Sequence, residues 1–222
     1  AQMRLAVMGG KSLKGFEDGQ TVFSFAPQNL TGFTDLTALA FSQDNRQLAV
    51  GYNRSSMEIQ LWDSHTGDNS TLTGLAGIEE MVFAAAPTEL LILACNGKID
   101  VCNVADGRRE QIAATALANL APQQGSVSNN PNGECVAWLS RDQLVFMDKT
   151  ARKVRQQKLT QDANQRFTLF RPDGRQLALW GKAGRVSLWS VRRRQCIGRF
   201  DSDRDITALS YSSTGRSLAA GR

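Results

Sequence analysis

Residues 57–67 read MEIQLWDSHTG and show the pattern from which the fold is inferred. Apolar side chains at positions 57, 59 and 61 alternate with polar ones, which is the two-residue period of a half-buried β-strand. The residues Ser-His-Thr-Gly at 64–67 then supply turn chemistry. The stretch SLWSVRRRQC at 187–196 repeats this outline, with Trp189 in the place of Trp62. Two copies of one pattern indicate an internal repeat.

Two sets of anchor residues keep nearly the same period along the chain. The first set marks the residue where a first strand meets a turn, and its members are Phe41, Phe83, Val127, Phe170 and Tyr211. The second set lies on a third strand, and its members are Phe25, Trp62, Cys102, Met147 and Trp189. Between the anchors the sequence shows strand alternation and turns without a long helical stripe, although QIAATALANL at 111–120 could compete as a helix. The pattern predicts units of about 40–45 residues with four strands each, which are the blades of an all-β propeller.

The stretches ALAFSQDNRQLAVGYNRSSMEIQLWDSHTG and TLFRPDGRQLALWGKAGRVSLWS resemble WD-repeat proteins. The resemblance implies a β-propeller in which Trp62 and Trp189 pack between neighbouring blades and Asp63 holds the turn that follows. It also implies a face of loops that grips protein partners. One departure is clear: the single histidine, His65, lies in the turn after Trp62. The family's hydrogen-bonded set of His, Ser or Thr, Asp and Trp is therefore absent from every unit.

The whole chain is interpreted as one propeller domain or propeller segment. The units are 1–33 (partial), 34–75, 76–118, 119–162, 163–203 and 204–222 (partial), so four complete four-stranded blades lie between partial blades at both ends. In the first unit RLAVMGG reads as a second strand, TVFSF as a third and LTGF as a fourth. Two alternatives stay open, an unusual five-blade ring and a segment that pairs with the rest of a larger propeller. We favour the segment, because an open ring exposes strand edges that invite pairing.

The cysteines and the hydropathy indicate an intracellular protein. There is no CxxC pair among Cys95, Cys102, Cys135 and Cys196, and a hairpin turn at Asn96-Gly97 would place Cys102 opposite Leu91, out of register with Cys95 for a disulfide. Free thiols in a reducing compartment are expected. We see neither an apolar run of the roughly 18 residues that a membrane helix needs nor an export signal. We therefore expect a cytoplasmic chain without a membrane partner.

The sequence offers little catalytic chemistry. A Ser/His/Asp or Cys/His set needs a histidine, and only His65 is present. There is no metal-ligand spacing, P-loop or GxGxxG motif. The acidic pair Glu79-Glu80 and the alternating Asp201, Asp203 and Asp205 are interpreted as solvated loops. We expect no enzyme activity, no metal and no cofactor.

Positive charge is concentrated in the second half of the chain. Residues 1–111 hold 8 Lys and Arg against 13 Asp and Glu, whereas residues 112–222 hold 18 against 8. Two basic clusters occupy equivalent positions of consecutive units, and their members are Arg152, Lys153, Arg155, Lys158, Arg192, Arg193 and Arg194. In neighbouring blades they would form one patch for an acidic partner or RNA. The alternative is a solubilising turn beside a polar strand edge.

Loops on the opposite face supply the candidate partner-binding residues Arg54, Lys98, Arg141, Lys182 and Arg185. The function expected from this reading is a non-catalytic protein–protein interaction module, a scaffold or sensor propeller within a larger intracellular protein or complex. The alternative is an RNA- or ribonucleoprotein-binding propeller that uses the basic half.

Overall fold

A computed structural model describes residues 4–9, 12–17, 20–25, 36–52, 58–74, 77–84, 86, 88–94, 98–112, 122, 126–159, 165–181 and 184–221, with backbone alone for residues up to 36. The described part of the chain forms 21 β-strands and no helix. The strands meander into six antiparallel sheets, and sequence neighbours are also neighbours in each sheet.

The N-terminal sheet has three strands, β1 (Arg4–Gly9), β2 (Ser12–Glu17) and β3 (Gln20–Phe25). Blade I consists of β4 (Leu36–Phe41), β5 (Gln47–Tyr52), β6 (Glu58–Asp63) and β7 (Asn69–Leu72). Blade II consists of β8 (Ile78–Phe83), β9 (Glu89–Ala94), β10 (Ile99–Asn103) and β11 (Arg109–Ile112). Blade III consists of β12 (Ser128–Asn129), β13 (Cys135–Ser140), β14 (Gln143–Asp148) and β15 (Val154–Lys158). Blade IV consists of β16 (Gln165–Phe170), β17 (Gln176–Gly181), β18 (Arg185–Ser190) and β19 (Gln195–Asp201). The C-terminal sheet has two strands, β20 (Ala208–Tyr211) and β21 (Leu218–Gly221).

The predicted architecture is confirmed: four complete four-stranded blades lie between a three-stranded and a two-stranded sheet. First strands of neighbouring blades pack beside one another, β4 with β8 and β12 with β16. The first strands therefore form the inner edges of the blades, and the fourth strands form the outer edges.

The turn between the first and second strands repeats closely in blades I, III and IV and in the C-terminal sheet. Its last residue has a positive φ and donates its N–H to the carbonyl three residues earlier, as Asn45 does to Ser42 and Gly174 does to Arg171. The left-handed conformation favours Gly or Asn, because other side chains clash with the backbone there. This requirement explains why Asn or Gly closes each of these turns, at Asn45, Gly133, Gly174 and Gly215.

The apolar core lies between the blades. The predicted third-strand anchors Cys102, Met147 and Trp189 each stand one residue before the end of their strand and pack on the preceding blade. Trp62 has the same position in β6. It packs with Leu48 on the face of blade I that points away from blade II. These four side chains are therefore equivalent packing residues, although their volumes differ widely.

Four details of the sequence reading are wrong. In the N-terminal sheet β2, with the sequence SLKGFE, lies between RLAVMG and TVFSF, so these two stretches are not adjacent second and third strands. In blade III, Asn129 rather than Val127 ends the first strand, since β12 is only two residues long. Cys102 pairs with Leu90 instead of Leu91, because the Ala94 N–H donates to the Lys98 carbonyl and the register of β9 with β10 is one residue away from the expected one. Glu79 and Glu80 belong to β8 and are half-buried. LTGF and residues 113–120 lie outside the described residues.

Candidate interaction site

The C-terminal sheet differs from the blades in the exposure of its second strand. In blades I to IV the second strand buries five of its six residues. In β21, by contrast, no residue is buried, although its sequence LAAG is just as apolar. Among the described strands, β21 pairs only with β20. An apolar strand with one open edge is a template for adding a further strand.

A groove of about 520 Å³ runs along β21 and the neighbouring face of blade IV. Its apolar lining, which defines the β21 groove, consists of Val186, Leu188, Phe200, Leu209, Tyr211, Leu218 and Ala220. Arg171 and Arg216 contribute positive charge to the wall. Clefts with apolar floors and a few polar groups are typical binding sites.

Phe200 is the most exposed large apolar side chain of the described residues, at 59%. It lies on β19 and lines the β21 groove. Ile197, on the same strand, is 45% exposed and does not line the groove. The Tyr211 hydroxyl is buried in the groove wall without a hydrogen-bond partner among the described residues, and burial raises the pKa of this phenol.

The groove floor on β18 is equivalent to the surface of β14 on which Trp189 of the next blade packs. Leu144 and Phe146 of β14 pack in the same cluster as Trp189 of the next blade. Val186 and Leu188 occupy the same strand positions in β18, and Leu188 is only half-buried. Blade IV thus presents the surface on which a third-strand anchor packs in the preceding blade.

The turns after the third strands are held by the residue that the WD resemblance assigned to this role. Asp63 Oδ1 accepts hydrogen bonds from the backbone N–H groups of His65 and Thr66, at 2.8 and 2.9 Å, and these bonds lower the pKa of Asp63. Asp148 Oδ1 accepts the equivalent bonds from Thr150 and Ala151. These carboxylates stabilise the turns that follow the third strands of blades I and III.

The basic clusters lie on equivalent turns and strands of blades III and IV, but two of their members are engaged. Arg152 forms ion pairs with Glu89, at 3.2 Å, and with Glu110, both from blade II. The Lys158 Nζ lies 3.8 Å from Asp142 Oδ2, within ion-pair distance. The remaining side chains, Lys153, Arg155, Arg192, Arg193 and Arg194, are exposed. The arginine turn of blade IV is therefore exposed, whereas the blade III cluster is partly engaged in ion pairs.

The loop candidates that the structure describes belong to three different blades. Lys98 and Arg141 are exposed at the turns after β9 and β13. The Arg185 Nε donates to Asp201 Oδ1 at 2.6 Å, which lowers the pKa of Asp201. Arg54 and Lys182 lie outside the described residues. None of the three described residues lines the β21 groove.

Within the ranges that the structure describes, no helix is long and apolar enough to cross a membrane. The same residues contain no cluster of three or more His, Cys, Asp or Glu side chains that could hold a metal ion. The described thiols Cys102, Cys135 and Cys196 are free.

A comparison with protein-family models finds none that matches this chain. A comparison with curated proteins finds no significant match either.

Sequence reasoning missed the groove residues themselves. The signal was present in β19, where Ile197 and Phe200 are apolar on a strand whose equivalents, NSTL and VRQQK, are polar. An outer strand with large apolar residues indicates a face that something else covers.

Proposed function

We propose that this chain is a non-catalytic protein-binding module, and that its main binding surface is the β21 groove. The observation that carries the proposal is the exposure of three of the four residues of the apolar strand β21, whose equivalents in all four blades bury five of six residues. The occupant that we propose is a β-hairpin with the pattern of the third and fourth strands of a blade, such as one from a further propeller segment. Its first strand pairs with the open edge of β21, which is the strand-addition mode of peptide recognition.

The structure of the blades defines the chemistry of this hairpin. Its first strand alternates apolar and polar residues and ends in a large apolar side chain that packs on Val186 and Leu188, as Trp189 packs on Leu144 and Phe146. Acidic groups on the hairpin would face Arg171 and Arg216. Charge complementarity of this kind directs association and selects among partners. The WD-like repeat of the sequence supports the same class of function, and a cytoplasmic scaffold or sensor is the setting that we propose for it.

A peptide with the sequence of residues 58–72 tests the proposal, because it carries the hairpin of blade I with three carboxylates and Trp62. Fluorescence anisotropy of the labelled peptide should show saturable binding to the protein in the micromolar range. Phe200→Asp should abolish binding, whereas Ile197→Asp, on the same strand but outside the groove, should leave it intact. A peptide with Trp62→Ser should bind at least about tenfold more weakly. Equal binding to both protein variants, or no saturable binding, would contradict the proposal.

The exposed arginine turn supports RNA binding as a second candidate function. Arg192, Arg193 and Arg194 are exposed, and Lys153 and Arg155 are exposed at the equivalent place in blade III. A steep fall in RNA affinity between about 50 and 200 mM salt is the signature of phosphate contacts. The triple change of Arg192, Arg193 and Arg194 to Glu should remove that affinity. If RNA binds the triple variant and the parent protein equally, this candidate is rejected.

A further inference from the structure

A polar cavity of about 230 Å³ lies where the turns of three blades meet. Gln43 from blade I, Phe83 from blade II and Asn129 from blade III all line it. The Gln43 side chain reaches across to Gly133 of blade III, where a Cβ would lie 3.3 Å from its Oε1. The cavity is far from the β21 groove in the order of blades and shares no lining residue with it.

Lys149 lines this cavity from a position that holds an apolar residue in two other blades. Val104, Lys149 and Val191 each follow a third strand and donate the backbone N–H to a carbonyl just before the second strand, at 2.8 to 3.0 Å. Val104 and Val191 pack against the interblade core. The backbone is therefore the same in the three blades, and blade III has a charge where the fold accepts valine.

Lys149 is only 3% exposed. Its Nζ donates one hydrogen bond, to the carbonyl oxygen of Phe83 at 2.6 Å, and an ammonium group has three donors. No carboxylate of the described residues lies within ion-pair distance of Nζ. Burial lowers the pKa of Lys149 to about 8, so the group is still mostly cationic at neutral pH. A buried cation without a counter-charge is costly, and such violations of local rules concentrate at functional sites.

We infer that this cavity binds a small free carboxylate, with one carboxylate oxygen accepting a hydrogen bond from Lys149 Nζ. One lysine and no arginine line the site, which matches a single negative charge better than a phosphate dianion. Gln43 and Asn129 line the cavity, and a side-chain amide can donate to the second oxygen. The volume is below that of sites for drug-sized ligands, so the ligand has few heavy atoms.

Isothermal calorimetry and thermal unfolding with acetate and succinate test this inference at constant ionic strength, with chloride and phosphate as comparison anions. The parent protein should bind a carboxylate saturably and unfold at a higher temperature in its presence. Lys149→Met should reduce the affinity by at least about tenfold, because a charge-assisted hydrogen bond is lost. Lys153→Met, an exposed lysine of the same turn, should bind like the parent protein.

A second variant covers the case in which Lys149→Met does not fold. Asn129→Ala keeps the lysine and removes an amide from the wall, and it should weaken carboxylate binding while the protein stays folded. Preferential binding of phosphate, equal effects of chloride and carboxylates, or unchanged affinity in the two cavity variants would each overturn the inference.

Discussion

Asn130 ties the first turn of blade III to that of blade IV, because its Nδ2 donates to the carbonyl oxygen of Gly174 at 3.1 Å. Asn130 is 2% exposed, so this bond is shielded from water. The next pair of turns meets in the same way, with the Arg171 side chain against Gly215. The residue that opens one turn thus contacts the glycine that closes the turn of the following blade.

Gly174→Ala should destabilise the protein severely. The position has a φ of +68°, and an added Cβ would overlap Asn130 Oδ1. Gly67→Ala is the matched control, since Gly67 also has a positive φ, of +78°, but has open space around it. We expect a loss of about 1 kcal/mol in the free energy of unfolding for Gly67→Ala from backbone strain alone, and about 3 kcal/mol for Gly174→Ala. Urea unfolding measures both, and equal losses would show that the contact between the turns contributes nothing.

Lys149 should make stability rise with pH in the alkaline range. Its pKa is lowered by burial from 10.5 to about 8, and the charge of the Cys135 thiolate partly opposes this shift. The unfolded chain therefore binds more protons than the folded one between these values, so the free energy of unfolding increases from about pH 8 to 10.5, by at most about 3 kcal/mol. Lys149→Met should lack this increase, and Lys153→Met should retain it. Parallel pH profiles for the parent protein and Lys149→Met would contradict the burial of a charged lysine.

The fold was largely predictable, because it depends on local patterns that repeat. The apolar alternation of each strand and the turn residues after it fixed the four blades, and the penultimate positions of Trp62, Cys102, Met147 and Trp189 followed from spacing. The register between β9 and β10 was predicted one residue away from the observed one, because the sequence alone does not fix which residues pair across a hairpin. Lys149 was missed for another reason. Its burial depends on packing against the preceding blade. Only an alignment of its turn with those of Val104 and Val191 would have shown a lysine at a position that is otherwise apolar in these blades.

Glu80 should make the protein less stable as the pH rises, which is the opposite of the effect expected for Lys149. Burial on β8, with a smaller contribution from Glu79, raises its pKa from 4.5 to about 7. The folded protein therefore binds more protons than the unfolded chain between these values, and stability falls as the pH rises from 4.5 to 7, by at most about 3 kcal/mol. In Glu80→Gln this fall should be absent, as measured by urea unfolding across that range. Glu134→Gln, at an exposed position, should follow the parent profile, and a fall retained in Glu80→Gln would refute the assignment.

Glycine variants of Arg152 and Arg194 distinguish the effect of backbone strain on stability from the effect of ion pairing. Both have a φ of 52° at the end of the turn after a third strand, where blades I and II have Gly67 and Gly107. Arg194→Gly should stabilise the protein by about 0.5 kcal/mol, because glycine accepts this conformation without strain but gains freedom in the unfolded chain. Arg152→Gly also loses the ion pairs with Glu89 and Glu110, so it should be less stable than Arg194→Gly by about 1 kcal/mol at low salt. Identical effects at low salt would mean that these ion pairs have no net value.

Hydrogen exchange of the β21 amides, followed by mass spectrometry, tests the open strand edge most directly. Residues 218–221 should exchange rapidly in the free protein, while residues 176–181 of the equivalent strand β17 should be strongly protected. Addition of the 58–72 peptide should slow exchange in 218–221 and leave 176–181 unchanged. If β21 is already as protected as β17 in the free protein, or if the peptide protects neither segment, the β21 groove is not a site for strand addition.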